Sequence, residues 1–248
     1  MSQLTIACLL LFVACLLSSC GGGHSQRLKD IEAQKPIPTP TPGEREISGV
    51  FNVTGADVNG NEAYNGVLTV APQGDAYGFR WTLNRGTRIG NGVQIGNAAA
   101  ASFAATGGGK GCGVVLYKIA SDGTMEGKIV KWGEDKYGKI IAHRTEGNGF
   151  VGKYSVVGNT PDGTGYAGHM TIKKDGLGYD LEWVQDYEFT PTQTFVAFGT
   201  WQGSVAAASF GGYQCSFALY DIKSNGNMEG NWGGQKSVTF GTESAKRQ

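Results

Sequence analysis

The sequence predicts an all-β fold: two tandem antiparallel meander β-barrels of about eight short strands each. Three observations predict it. The body of the chain is an internal repeat, the repeated segments alternate apolar and polar residues, and glycine-dense breaks separate them.

The repeat is read segment by segment. Gly49-Val50-Phe51-Asn52-Val53-Thr54-Gly55 matches Gly152-Lys153-Tyr154-Ser155-Val156-Val157-Gly158. Tyr64, Gly66, Leu68, Thr69 and Val70 match Tyr166, Gly168, Met170, Thr171 and Ile172. Tyr77, Phe79 and Trp81 match Tyr179, Leu181 and Trp183. Ala99-Ala100-Ala101-Ser102-Phe103 matches Ala206-Ala207-Ala208-Ser209-Phe210. Cys112, Leu116, Tyr117 and Ile119 match Cys215, Leu219, Tyr220 and Ile222, and Met125-Glu126-Gly127 matches Met228-Glu229-Gly230. Thr145-Glu146 is aligned with Thr242-Glu243 to end the match. The pairs keep their order at an offset near 103, so the expected modules are 47–147 and 148–248.

Period two identifies the strands. Phe51 and Val53 share a face opposite Asn52 and Thr54, and Phe79 and Trp81 share one opposite Arg80 and Thr82. The expected inward set is Phe51, Val53, Tyr64, Leu68, Val70, Phe79 and Trp81, with Tyr154, Val156, Tyr166, Met170, Ile172, Leu181 and Trp183 in the second copy. Gly66 and Gly168 are read as the space that admits Trp81 and Trp183. Asn59-Gly60-Asn61, Gln73-Gly74-Asp75, Asp122-Gly123 and Asn225-Gly226 supply turns. With 41 Gly and only 7 Pro in 248 residues, the composition fits many tight turns. Closure into barrels leaves no strand edge unpaired.

The N-terminus is of another kind. Leu9 to Leu17 is apolar and ends in Leu17-Ser18-Ser19-Cys20. The run is too short to span a bilayer, which needs about 20 residues, and suits a signal-peptide core. The tetrapeptide resembles the lipobox of bacterial lipoproteins, although Met1 to Leu10 lacks the usual Lys or Arg. That resemblance implies a signal peptide over 1–19, removed to leave Cys20 diacylated as the first mature residue. It also implies a palmitate-bearing membrane anchor and, with Gly21 rather than Asp after the cysteine, the outer membrane of the cell envelope. Residues 20–46 read as a stalk whose alternating prolines, Pro36 to Pro42, favour extended polyproline II.

In arrangement the modules resemble the calycin group of small barrels, such as avidin and the lipocalins. They also resemble a repeat of exported bacterial proteins, some labelled fibronectin-binding, with the pattern Gly-x-Tyr, Tyr-x-Gly, Tyr-x-Leu-x-Trp, Tyr-x-Ile and Glu-Gly. The likeness consists of core and turn residues, so it implies fold rather than activity.

Lys plus Arg equals Asp plus Glu, 21 each, so the chain lacks the basic stripe of a nucleic-acid binder. His24, His143 and His169 are too scattered for a zinc site, and no cofactor is expected. No Gly-x-Ser-x-Gly elbow or phosphate loop is present; Gly107-Gly108-Gly109-Lys110-Gly111 reads as a turn. The paired carboxylates Glu126 and Glu229, and Glu146 and Glu243, abut turns or module ends, where accepting backbone N–H bonds is the expected role. Trp81, Trp183, Tyr117, Tyr220, Glu126, Glu229, Cys112 and Cys215 are therefore structural candidates, and the catalytic set is empty. Cys112 and Cys215 share faces with Val114 and Leu116, and with Phe217 and Leu219. Those faces are read as two separate barrel interiors, which makes both cysteines free buried thiols. Asp180, Glu182, Asp186 and Glu188, with Arg80 and Arg85 near the same places in the first module, read as a pair of solvated faces, the alternative being that opposite charges help the modules dock.

The resulting expectation is a non-enzymatic envelope lipoprotein. It binds a protein or glycan partner through loops such as 84–97 and 185–198 and through outer barrel faces. A small-ligand transport barrel is the alternative, a hydrolase a remote one, and stoichiometric small apolar ligands are not expected inside interiors this full.

Overall fold

The computed structural model describes residues 45–58, 62–104, 110–187, 191–235, 237 and 239–248; the signal segment, Cys20 and most of the stalk lie outside the described residues. Among the described residues sixteen strands follow in chain order. The first eight are β1(Gly49–Ala56), β2(Ala63–Gln73), β3(Ala76–Leu83), β4(Gly86–Ile95), β5(Ala98–Ala104), β6(Gly113–Ile119), β7(Met125–Lys131) and β8(Gly138–Asn148). The second eight are β9(Val151–Asn159), β10(Gly165–Asp175), β11(Gly178–Asp186), β12(Gln193–Gln202), β13(Val205–Phe210), β14(Cys215–Ile222), β15(Met228–Gly234) and β16(Gly241–Arg247).

The strands form two closed, antiparallel, eight-stranded barrels, in the orders β1-β16-β15-β14-β5-β4-β3-β2 and β10-β11-β12-β13-β6-β7-β8-β9. The barrels do not coincide with the sequence modules 47–147 and 148–248. Barrel two is the contiguous run β6–β13, inserted between β5 and β14 of barrel one. Each copy of the repeat thus gives its first five strands to one barrel and its last three to the other. The exchange is made at two pairings, β5 with β14 and β13 with β6.

The alternation dictates the filling of both barrels. The first inward set, from Phe51 to Trp81, lies in one core cluster with Ala218, Tyr220, Met228 and Ala245 of the second repeat. The other set, from Tyr154 to Trp183, packs with Val115, Tyr117, Met125, Ile140 and Ala142 of the first. Ile47 and Phe150, each two residues before a repeat's first glycine, are buried in these two cores.

A third apolar cluster lies between the barrels. Val93, Ala98, Ala100, Phe217 and Leu219 of barrel one meet Val114, Leu116, Val130, Phe198 and Ala207 of barrel two. Strands β5, β6 and β14 are therefore buried on both faces. This corrects the reading of the cysteines: the face carrying Val114 and Leu116 is the inter-barrel face, and Val115 and Tyr117 point inward. Cys112 and Cys215 are joined in a buried disulfide with Cα atoms 5.5 Å apart, not left as free thiols. The bond links the two crossovers, which touch at Gly211, where a Cβ would lie 1.9 Å from the Gly111 carbonyl oxygen.

Docking rests on apolar surface with hydrogen bonds across it, such as Lys128 Nζ donating to the Gln94 carbonyl at 2.8 Å; Arg85 is ion-paired with Glu62 of its own barrel, and Glu188 lies outside the described residues. Segments 84–97 and 185–198 are mostly strand, β4 and β12, rather than recognition loops. The reason for Gly66 and Gly168 is also different. A Cβ there would lie 2.2 Å from the Thr82 carbonyl oxygen and 1.9 Å from that of Val184, so neighbouring backbone excludes a side chain, not the tryptophan.

Candidate functional site

The residues that distinguish the barrels chemically lie at the end of each barrel near the disulfide. Tryptophan and tyrosine from different repeats meet there. Trp81 Nε1 donates to Tyr220 Oη at 3.3 Å, and Trp183 Nε1 donates to Tyr117 Oη at 3.1 Å. Each pair spans the exchange, because β14 closes barrel one and β6 closes barrel two.

In barrel one the pair belongs to a larger network. Glu243, only 7% exposed, accepts from Tyr64 Oη at 2.8 Å, from Trp81 Nε1 at 3.0 Å and from Tyr220 Oη. Burial raises the carboxyl pKa, against the three donors and the Arg88 charge, which lower it. Burial likewise pushes Tyr64 and Tyr220 well above the usual phenol range, reinforced by the charge of Glu243. Arg88 caps this end, its guanidinium 5.4 Å from the Phe103 ring centre and 5.1 Å from that of Trp232. The cavity among these groups is about 10 Å³.

Strand register identifies the counterpart in barrel two. Glu243 faces Gly230 and Ala245 faces Met228, while Ile140 faces Gly127 and Ala142 faces Met125. Ile140 therefore occupies the position of Glu243. The alignment of Glu243 with Glu146 was six residues out of step: Glu146 lies beyond a bulge near the end of β8 and is ion-paired with Lys153 on the surface. The signal that finds the correct match is the constant offset of 103 itself, which pairs Gly138 with Gly241 and Arg144 with Arg247.

With Ile140 in place, the polar groups of barrel two are served differently. Tyr117 Oη lies 3.7 Å from Met170 Sδ, a weak acceptor. The Tyr166 hydroxyl, equivalent to that of Tyr64, is buried and has no hydrogen-bond partner among the described residues. Phe195 replaces Arg88, since Trp81 faces Arg88 and Trp183 faces Phe195. The result is a cavity of about 30 Å³, lined by Tyr166, Trp183, Gln185, Tyr187, Phe195 and Phe210, with Ile129, Thr160, Pro161, Lys131 and Glu134 around it.

Barrel one holds one wall of this cavity. In the β7–β8 loop, Lys131 N donates to Glu134 Oε2 at 2.7 Å and Trp132 N donates to the Cys112 carbonyl at 2.8 Å. Asp75 N donates to Asp135 O at 2.7 Å, Gln73 Nε2 donates to Glu134 O at 3.4 Å, and Asn91 Nδ2 donates to Lys131 O. No protein-family model, curated protein or solved structure matches this chain.

The remaining predicted residues lie apart from this site. Glu229 is ion-paired with Lys223 at 3.2 Å, where a backbone contact was expected, and Glu126 faces Lys118 across β6 and β7. His143 Nδ1 lies 3.4 Å from Thr124 Oγ1. Among the described residues, no three of His, Cys, Asp and Glu cluster to hold a metal, and no helix is long and apolar enough to cross a membrane.

Proposed function

We propose that this chain is a lipid-anchored, non-enzymatic binding module of the bacterial cell envelope, held to the outer membrane through Cys20 and presenting two rigidly joined barrels on a proline-rich stalk. The observation that carries the reading is the Cys112–Cys215 disulfide. A buried structural disulfide belongs to an oxidising compartment and is rare in the cytosol, which supports export. The apolar inter-barrel face supports rigidity: a platform of fixed geometry suits recognition by its surface more than cargo carriage in interiors already filled with aromatic rings. The one buried carboxylate among the described residues, Glu243, is engaged by three donors, which supports a closing role rather than an acid–base one.

Metabolic labelling with a palmitate analogue tests the anchor. Label is expected on the wild-type chain and not on Cys20→Ala, and label retained by the variant overturns the reading. Protease digestion of intact cells then tells an outward-facing module from a periplasmic one.

A further inference from the structure

We propose that the cavity at the disulfide end of barrel two is a binding site for a small uncharged acyl group, specifically an acetamido group whose carbonyl oxygen accepts from the Tyr166 hydroxyl. The inference rests on the binding-module reading and supplies the chemistry of the ligand.

The two barrels of this chain differ at one partner of an equivalent tyrosine. In barrel one the chain supplies its own acceptor, Glu243, to the tyrosine at this position. In barrel two it supplies Ile140, and Tyr166, 1% exposed, keeps a buried donor that no described residue satisfies. A buried hydroxyl without a partner is unfavourable, so an acceptor arriving from outside recovers part of that cost after giving up its own hydration.

Volume and charge narrow the ligand. The cavity of about 30 Å³ holds about three heavy atoms, the two carbons and the oxygen of an acetyl group, with the amide nitrogen left at its mouth, and no drug-sized body. Its walls are the rings of Trp183, Phe195 and Phe210, which suit a methyl group. Lys131 and Glu134 cancel in charge at its rim, and a carboxylate entering the site would lose its hydration for one neutral donor. A carbonyl with a methyl on one side and an N–H on the other satisfies Tyr166, meets the rings, and leaves its donor toward Glu134, since Gln185 Oε1 already accepts from Tyr187 Oη at 2.6 Å. The carrier of the acetamido group, a sugar ring or an acylated amine, stays outside, between the clamped β7–β8 loop and Thr160-Pro161.

The test uses the detergent-solubilised full chain with fluorine-labelled tryptophan, whose five resonances are assigned by single Trp→Phe variants. N-acetylglucosamine, glucose, N-methylacetamide and acetate are titrated separately. Expected is a saturable shift of the Trp183 resonance with N-acetylglucosamine and N-methylacetamide, and none with glucose or acetate. The Trp81 resonance of barrel one stays still. A response to N-methylacetamide alone upholds the acetamido chemistry and assigns the carrier to a non-sugar amine. Tyr166→Phe, which keeps the ring, weakens the response about tenfold, and Ile140→Glu, which builds the internal acceptor of barrel one, abolishes it. A Trp183 shift unaffected by Tyr166→Phe, an equal response to glucose, or no Trp183 shift overturns the site. If N-acetylglucosamine moves another tryptophan instead, the site falls while the binding-module reading stands.

Discussion

Glu243 shows at the scale of one residue how duplicated modules diverge. The same position is glutamate in one barrel and isoleucine in the other, and both folds close around Trp–Tyr pairs. The folded-state pKa of Glu243 is raised by burial, so folding favours its protonated form. Its stabilising contribution is therefore fully present below the unfolded pKa of about 4.3 and is lost as pH rises through the folded value. Glu243→Gln mimics the protonated acid at every pH. Chemical denaturation should therefore find variant and wild type close near pH 4, with the variant gaining relative stability as pH rises toward 8. A difference that is flat or falls with pH contradicts this. Gly66 makes the steric case. Its missing Cβ would sit 2.2 Å from backbone, which cannot rotate away, so Gly66→Ala should cost about 1–3 kcal/mol in the same assay.

At the scale of elements, the exchange of three strands decides what can fold alone. Residues 113–210 contain all eight strands of barrel two in one run, and that fragment should give a monomer with a cooperative melt. Residues 45–148 contain five strands of one barrel and three of the other. They leave β5 and β6 without their partners β14 and β13. Because β6–β8 repeat the pattern of β14–β16, a second copy can supply the missing set. The 45–148 fragment should therefore sediment as a strand-exchanged dimer. A folded 45–148 monomer would mean that β5 can pair with β6 of its own repeat.

For the whole molecule, the disulfide and the apolar face act together. The bond closes a segment of 103 residues, for which chain entropy gives roughly 4–5 kcal/mol, and removal of native disulfides typically costs about 2–5 kcal/mol. Cys112→Ser/Cys215→Ser should lose about 3 kcal/mol in denaturant titrations. It should still unfold in one transition, since the shared apolar face couples the barrels without the bond. Two separated transitions would show that the bond alone couples them. A thiol count on denatured, unreduced residues 45–248 should find none free. Symmetry between the barrels is broken where Gln73, Asp75 and Asn91 clamp the β7–β8 loop, which links the inter-barrel contact to the mouth of barrel two.

Strand content, inward faces and closure into two eight-stranded barrels were legible in the residues, because alternation, turn glycines and the repeat are local properties. The sequence also held a sign of the interface that period two alone overlooks: β5, β6 and β14 each contain a stretch without polar alternation, Ala98–Ala101, Gly113–Tyr117 and Phe217–Tyr220, the mark of strands covered on both faces. What it could not specify was the barrel that β6–β8 and β14–β16 join. Two copies of one repeat present the same edges and the same inward rings, so pairing within a copy and pairing between copies satisfy the same local pattern. Only the tertiary structure decides, through the exchange that brings Gly111-Cys112 against Gly211 and Cys215 and through the second apolar face those strands bury. The disulfide, the Glu243–Ile140 equivalence and the barrel-two cavity all follow from that choice.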